Sequence, residues 1–346
     1  MNKIFYLLLL SLLILKNPLI SQTIGYDKDD STQDFYDNSE SFSLITNEIL
    51  VEGEITNPSK IDFSKFNKRS VIVKEAHYSK QGNKFIGAYN YEGYSLYDLL
   101  NHYIISKTNF NEFNLITDLF IEISNDSGEK VYVSWGEIYY PSNQHRIIVA
   151  TDVRRITPSK TKEMWELPKK SKLIIANDLA SVRNIESPSK IRIRSFPKKY
   201  PTIKGKKPNF SPKIRINING ETTVSISELP KNLTQYEYPV TFYGRGRGLH
   251  STEPFKGVLL KDILSPLLEI NETLLKKTLV TVVANDGYRA VFGLSELINR
   301  NDQSEIMLIY NPDKTDDGPF RIFVSGDFFS DRAVKGIEII EILSNL

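Results

Sequence analysis

Apolar and polar residues alternate with period two through Leu50-Val51-Glu52-Gly53-Glu54-Ile55 and Ile214-Arg215-Ile216-Asn217-Ile218, as half-buried strands require. Val131-Tyr132-Val133, Ala290-Val291-Phe292, Leu173 to Ala176 and Ile322 to Ser325 add further strand runs. Asn125-Asp126-Ser127-Gly128 and Asn285-Asp286-Gly287 read as hairpin turns, because Gly, Asn and Asp accept positive φ. Helical patterning is confined to Leu96 to Ile105, Ser134 to Tyr139, Leu259 to Leu268 and Leu294 to Ile298. Strand runs with isolated short helices predict a strand-rich α+β fold rather than a parallel βαβ sheet.

The first residues follow a different pattern. Lys3 precedes Ile4 to Leu15, an apolar run broken only by Ser11, and Lys16-Asn17-Pro18 ends it. A run of this length is too short for a membrane-spanning helix, which needs about 20 residues. Residues 1–21 therefore read as a cleaved export signal, with a small residue, Ser21, before the cut. An uncleaved anchor is the alternative. Residues 22–43 are polar and acidic and read as a flexible leader. No later segment is apolar for long enough to span a bilayer, so the expectation is a periplasmic or secreted protein.

Self-comparison shows four blocks repeated in the same order. Tyr91-x-Gly93 with Leu96 to Leu100 matches Phe255-x-Gly257 with Leu260 to Leu264. Phe120 to Asp126 matches Val280 to Asp286, Leu173 to Ala176 matches Ile322 to Ser325, and Val182 to Glu186 matches Val334 to Glu338. The expected organisation is a first copy at 44–196, a Lys- and Pro-rich linker at 197–208, and a second copy at 209–346.

Composition narrows the chemistry. The 346 residues carry 44 Lys+Arg against 42 Asp+Glu, which gives no electrostatic case for nucleic-acid binding. There is no cysteine, so disulfides, thiolate nucleophiles and sulfur-held metals are all excluded. His77, His102, His145 and His250 lie far apart without ligand spacing, and no metal site is assigned. No Ser–His–Asp or paired-carboxylate arrangement stands out, so no catalytic residue is assigned. The aromatic residues sit mostly within strand patterns and read as core.

In the second copy, Thr241-Phe242-Tyr243-Gly244-Arg245-Gly246-Arg247-Gly248-Leu249-His250 leaves a strand and enters a glycine-rich loop. Its glycines allow close backbone approach to a ligand, and its two arginines suit a phosphate clamp. A solvated surface loop is the alternative. Arg321, Arg332 and Lys335 add cations further on, with Asp327 and Asp331 as possible surface partners.

Phe255-x-Gly257-x-x-Leu260-x-Asp262-Ile263-Leu264, Asn285-Asp286-Gly287-Tyr288-Arg289-Ala290, Gly318-Pro319-Phe320-Arg321 with Ser325-Gly326, and Val334-Lys335 occur in that order. This order resembles the molybdopterin-binding domain of the sulfite oxidase family, and especially small exported proteins described as pterin-binding or molybdopterin-oxidoreductase-like. The resemblance implies two tandem copies of that α+β fold, the second closer to the pattern, around a pterin cleft. It implies that Arg321, Arg332 and Lys335 lie near the cofactor or its phosphate. The ligand-binding set expected on this basis is Tyr243, Arg245, Arg247, His250, Asp286, Tyr288, Arg289, Arg321, Arg332 and Lys335. The family's molybdenum-holding cysteine falls in a loop corresponding to Tyr243-Gly244-Arg245-Gly246, where this chain has none. Molybdenum is accordingly not expected, whereas a pterin is.

The first copy matches less well, with Lys172 opposite Arg321, Arg183 opposite Lys335, and a single glycine in Lys74 to Gly82. It is expected to shape or cap the second copy's cleft. Thr151 to Lys172, with seven basic and three acidic residues, reads as a lid, a partner contact or a solvated loop. Three functions stay open: non-redox binding of a pterin or another small anion, a scaffold contacting an envelope protein, and a molybdopterin oxidoreductase with a non-cysteine metal ligand.

Overall fold

Continuous apolar runs become the strands covered on both faces, as expected when neither side of a strand meets water. In the computed structural model all six side chains of Leu279–Ala284 are buried, as are the first five of Leu119–Asn125. Alternating runs become half-covered strands, with Tyr89, Tyr91 and Gly93 buried along Lys84–Ser95 between partly exposed neighbours. The structure describes residues 40–346 except Ser159, Lys162, Thr315 and Asn345. The export signal expected at 1–21 and most of the leader expected at 22–43 lie outside the described residues. The body described below comprises Glu40–Arg155 and Trp165–Leu346, with Ile156–Met164 grouped apart from it.

The same two sheet orders occur in each half of this body. In one mixed sheet, Pro188–Ser195 pairs parallel with Leu50–Gly53 and antiparallel with Leu119–Asn125, which pairs in turn with Lys130–Ser134. In the other, Ile337–Leu343 pairs parallel with Ile214–Ile218 and antiparallel with Leu279–Ala284, which pairs with Arg289–Gly293. The antiparallel sheets run Arg69–His77, Lys84–Ser95, Ile147–Arg155, Lys172–Ile175 and Tyr236–Tyr238, Phe255–Leu259, Ile306–Tyr310, Phe320–Val324.

The expected fold class is corrected. Strand makes up 42% and helix 13%, and the sheets form a four-bladed β-propeller-like ring rather than two sulfite oxidase-like domains. Short-range periodicity identifies strands, but the order in which strands pair is set by contacts distant along the chain. Helices form at Trp135–Tyr139 and Leu294–Ile298 as expected, but the other two are shorter than their apolar patterns suggest. The helix at Leu96 ends at Leu100, because Ile105 then bridges Ile55 and the Ile104 N–H donates to Asn57 Oδ1. The helix Leu260–Leu264 tightens into a 3₁₀ turn carrying Pro266. Ser95, Ser134 and Asn271 cap helix starts by accepting backbone N–H bonds, and the helix Asn271 caps, Glu272–Lys277, was not expected.

Each half has its own large core, and Phe120, Tyr132, Phe196, Tyr200, Leu279, Val283 and Val291 pack where the mixed sheets meet. The halves also exchange loops. The Leu179 N–H donates to the Asn299 carbonyl and the Asn301 N–H to the Asn177 carbonyl. Reciprocally, the Phe328 N–H donates to the Tyr140 carbonyl and the Ser142 N–H to the Gly326 carbonyl. Among the described residues no helix is long and apolar enough to cross a membrane.

Candidate functional site

A cleft of ≈ 550 Å³ opens in the second half between the Gly248–Ser251 strand and residues 311–314 and 317–319. Its floor carries Arg321, placed by the Phe320–Val324 strand opposite Ile309 and bridged to Lys335. Gly318 (φ +72°) and Gly336 (φ +58°) let these segments cross closely, since a Cβ on Gly318 would lie 2.9 Å from the Gly336 Cα.

The surroundings of Arg321 are unusual for a charge. Its guanidinium carbon lies 4.9 Å from the Phe242 ring centroid and 5.2 Å from that of Phe255. The two rings meet at 5.2 Å, and Phe323 packs on Phe255 at 5.0 Å. Nε and Nη2 of Arg321 are buried and have no hydrogen-bond partner. These two N–H groups form one edge of the guanidinium, the edge that grips carboxylates and phosphates in pairs. Cation–π contact offsets part of the burial cost, but a buried donor without an acceptor still costs about 1–3 kcal/mol. Burial lowers the Arg321 pKa from its ordinary value, opposed by the nearby Asp317 carboxylate. A guanidinium with so high an intrinsic pKa stays charged regardless.

Lys256, Lys314 and Lys335 add positive charge to the cleft wall, against Glu253 and Asp317. Asp317 is engaged by Lys335 at 3.0 Å, and Lys256 pairs with Glu237 at 3.0 Å. His250 also lines the cleft. Its ring lies against Gly244, where an added Cβ would come within 2.2 Å of His250 Nε2. The glycine-rich segment is a hairpin, Phe242–Gly244 with Gly248–Ser251, whose turn carries Arg245 and Arg247.

Of the ten residues expected to bind ligand, the cleft thus brings together His250, Arg321 and Lys335. Tyr243 lines a separate cavity of ≈ 220 Å³ with Phe328 and Phe329. Arg245 is exposed, 3.8 Å from Asp331, and its guanidinium lies 5.2 Å from the Phe329 ring centroid. Arg247 is exposed. The Asp286 carboxylate accepts the Tyr288 N–H within its turn, and the Tyr288 hydroxyl donates to the Asp331 carbonyl. Arg289 and Arg332 are fully buried in ion clusters. Arg289 reaches Glu112 at 3.1 Å and Asp118 at 3.3 Å, and Arg332 lies between Asp327 and Glu296. Phe242, Phe255, Lys256 and Lys314 were not among the expected site residues. Phe255 stood in a repeated block, but nothing local showed it beside Arg321.

Molybdenum held by a cysteine does not fit. The hairpin offers phenol, imidazole and guanidinium groups, the chain has no thiolate, and no redox step is derived.

No protein-family model and no curated protein matches the chain. Among solved structures it is similar to the sulfane dehydrogenase SoxCD from Paracoccus pantotrophus. The identity is 8%, the match covers 84% of this chain and 78% of that one, and the TM-score is 0.30. A likeness this distant does not confirm the sulfite oxidase-like resemblance and assigns no family.

Proposed function

We propose that the second half binds a small organic anion, a phosphate or carboxylate, in the cleft above Arg321, without redox chemistry. The observation that carries this reading is the buried guanidinium edge of Arg321, left without an acceptor beneath a cleft where cations outnumber acids. The neighbouring phenyl rings suit a ligand with an apolar or planar body, a class that includes carboxylated pterins. In this reading the Ile4 to Leu15 run delivers the protein outside the cytoplasm.

The test is equilibrium dialysis of the wild type and Arg321→Met against inorganic phosphate, phenyl phosphate, benzoate and a carboxylated pterin. A charged hydrogen bond contributes about 1.5–3 kcal/mol, so the substitution should weaken binding about 10- to 150-fold. No uptake by the wild type, or equal affinity in the two proteins, would overturn the reading.

A second reading, a contact surface for an envelope protein, is favoured by one patch. Tyr243, Leu249 and Phe328 are 40%, 59% and 56% exposed, with Leu249 directly across the hairpin from Tyr243. Crosslinking in cells from a photoreactive group at Leu249 should yield one discrete adduct that Phe328→Asp abolishes.

A further inference from the structure

The repeated sheet orders allow the cleft to be compared with its counterpart in the first half. Ile147 pairs with Ile175 as Ile306 pairs with Val324, which puts Lys172 at the position of Arg321. Lys172 bridges Glu186 as Arg321 bridges Lys335, and the Leu173 and Ile322 N–H groups donate to the Ile185 and Val334 carbonyls. Arg69 faces Gly93 as Tyr236 faces Gly257, so Val71 opposite Tyr91 matches Tyr238 opposite Phe255. Four residues further along each chain segment stand Glu75 and Phe242.

The contacts agree with this register. Lys172 Nζ donates to both Glu75 oxygens at 3.0 and 2.7 Å, and the Tyr91 hydroxyl and Asn184 amide each donate to Glu75 at 3.2 Å. In the second half, Phe242 replaces Glu75, Phe255 replaces Tyr91, and Arg321 keeps the cation but has no acceptor on its Nε–Nη2 edge. A cavity of ≈ 390 Å³ adjoins Glu75, and Lys169, Lys170 and Lys172 line it with Glu166 and Glu186. With Glu75 counted, three acids balance the three lysines. Without it, cations are in excess.

We propose that the first half holds a closed counterpart of the cleft, in which the Glu75 carboxylate takes the anion's place. Removing that negative charge opens a second site for the same class of small organic phosphates and carboxylates. The inference rests on reading the Arg321 cleft as an anion site.

The probe is phenyl phosphate, with bound ligand per chain measured by equilibrium dialysis. At phenyl phosphate concentrations that just saturate the wild type, the wild type should bind one, Glu75→Gln two, Arg321→Met well under one, and the double variant Arg321→Met/Glu75→Gln about one. Lys172→Met added to Glu75→Gln should return the count to one. A wild type that binds none overturns the cleft reading. A wild type that binds one together with a Glu75→Gln that also binds one overturns the closed-counterpart inference alone. Should Glu75→Gln fail to fold, the reverse graft decides. Phe242→Glu supplies Arg321 with an internal carboxylate and should weaken phenyl phosphate binding at least about tenfold, since a charged hydrogen bond is lost to competition. Affinity within twofold of wild type would overturn the inference.

Discussion

Arg332→Met tests the reading of this residue as the neutralising centre of a buried cluster. Arg332 is 1% exposed, and its Nε and Nη2 reach the two Asp327 oxygens at 2.8 and 2.7 Å while Nη1 donates to Glu296. Methionine keeps much of the aliphatic volume but leaves two buried carboxylates without their hydrogen-bonded counter-charge, with only the more distant Arg300 opposing them. Breaking a buried pair in this way costs about 3–5 kcal/mol. A domain of ordinary stability, about 5–15 kcal/mol, would remain folded but measurably weakened. Burial already raises the Asp327 and Glu296 pKa values from their ordinary values, with Arg332 opposing the rise. Removing Arg332 raises them further. A carboxyl whose folded pKa exceeds its unfolded pKa binds protons more tightly in the folded state, so its cost fades as pH falls through the folded value. The variant should therefore lose about 3–5 kcal/mol at pH 7.5 and recover part of that by pH 5. Urea unfolding followed by tryptophan fluorescence reports it, Trp135 being stacked on Tyr139 at 4.2 Å beside the cluster. A loss under about 1 kcal/mol at pH 7.5 would refute the reasoning, as would a gap that widens on acidification.

The first half offers a related test. Burial pushes Asp178 up to about 6, against the pull of Arg183, so its ionisation costs stability as pH rises through that value. The penalty of Asp178→Asn should be larger at pH 4.5 than at pH 7, by on the order of 2 kcal/mol, and a flat difference would contradict this. Two glycines separate backbone strain from collision. Gly287→Ala would place a Cβ 2.1 Å from the Pro201 carbonyl oxygen at φ +83°, and should destabilise by about 3 kcal/mol or more in thermal melts. Gly82→Ala, at φ +118° with no atom within 4 Å, should cost only the backbone strain of about 1–3 kcal/mol.

Strands were legible where burial leaves a local mark. The apolar run Leu279–Ala284 and the alternation in Ile214–Ile218 each coincide with an observed strand, and Asn285-Asp286-Gly287 turns between Leu279–Ala284 and Arg289–Gly293. What such marks do not carry is pairing order, and the fold class failed on that point. Matching Arg183 with Lys335 along the sequence missed by three positions. The loops align Asp178 and Arg183 with Asp327 and Arg332, each pair joined by paired hydrogen bonds over the same spacing. The burial of Arg289 and Arg332 left no local mark, because each needs an acceptor from a distant segment: Glu296 lies 36 positions from Arg332, although its other acceptor, Asp327, is only five away. Asp118 lies 171 positions from Arg289. The glycine-rich segment looked like an open ligand loop, yet its glycines make room for His250 and for a tight hairpin turn. The isolation of Arg321 was invisible, since it arises from an aromatic residue standing where the other half keeps an acid.

The exchanged loops have a consequence for how this chain can change over time. Asn299 and Asn301 of one half, and Tyr140 and Ser142 of the other, each depend on backbone supplied across the divide. A substitution that shifts residues 177–183 therefore reaches the second half, and one that shifts 326–332 reaches the first. The halves cannot be inherited, swapped or trimmed singly. Each half supplies hydrogen-bond partners to the other, so a first half that holds no ligand of its own would still be needed by the second.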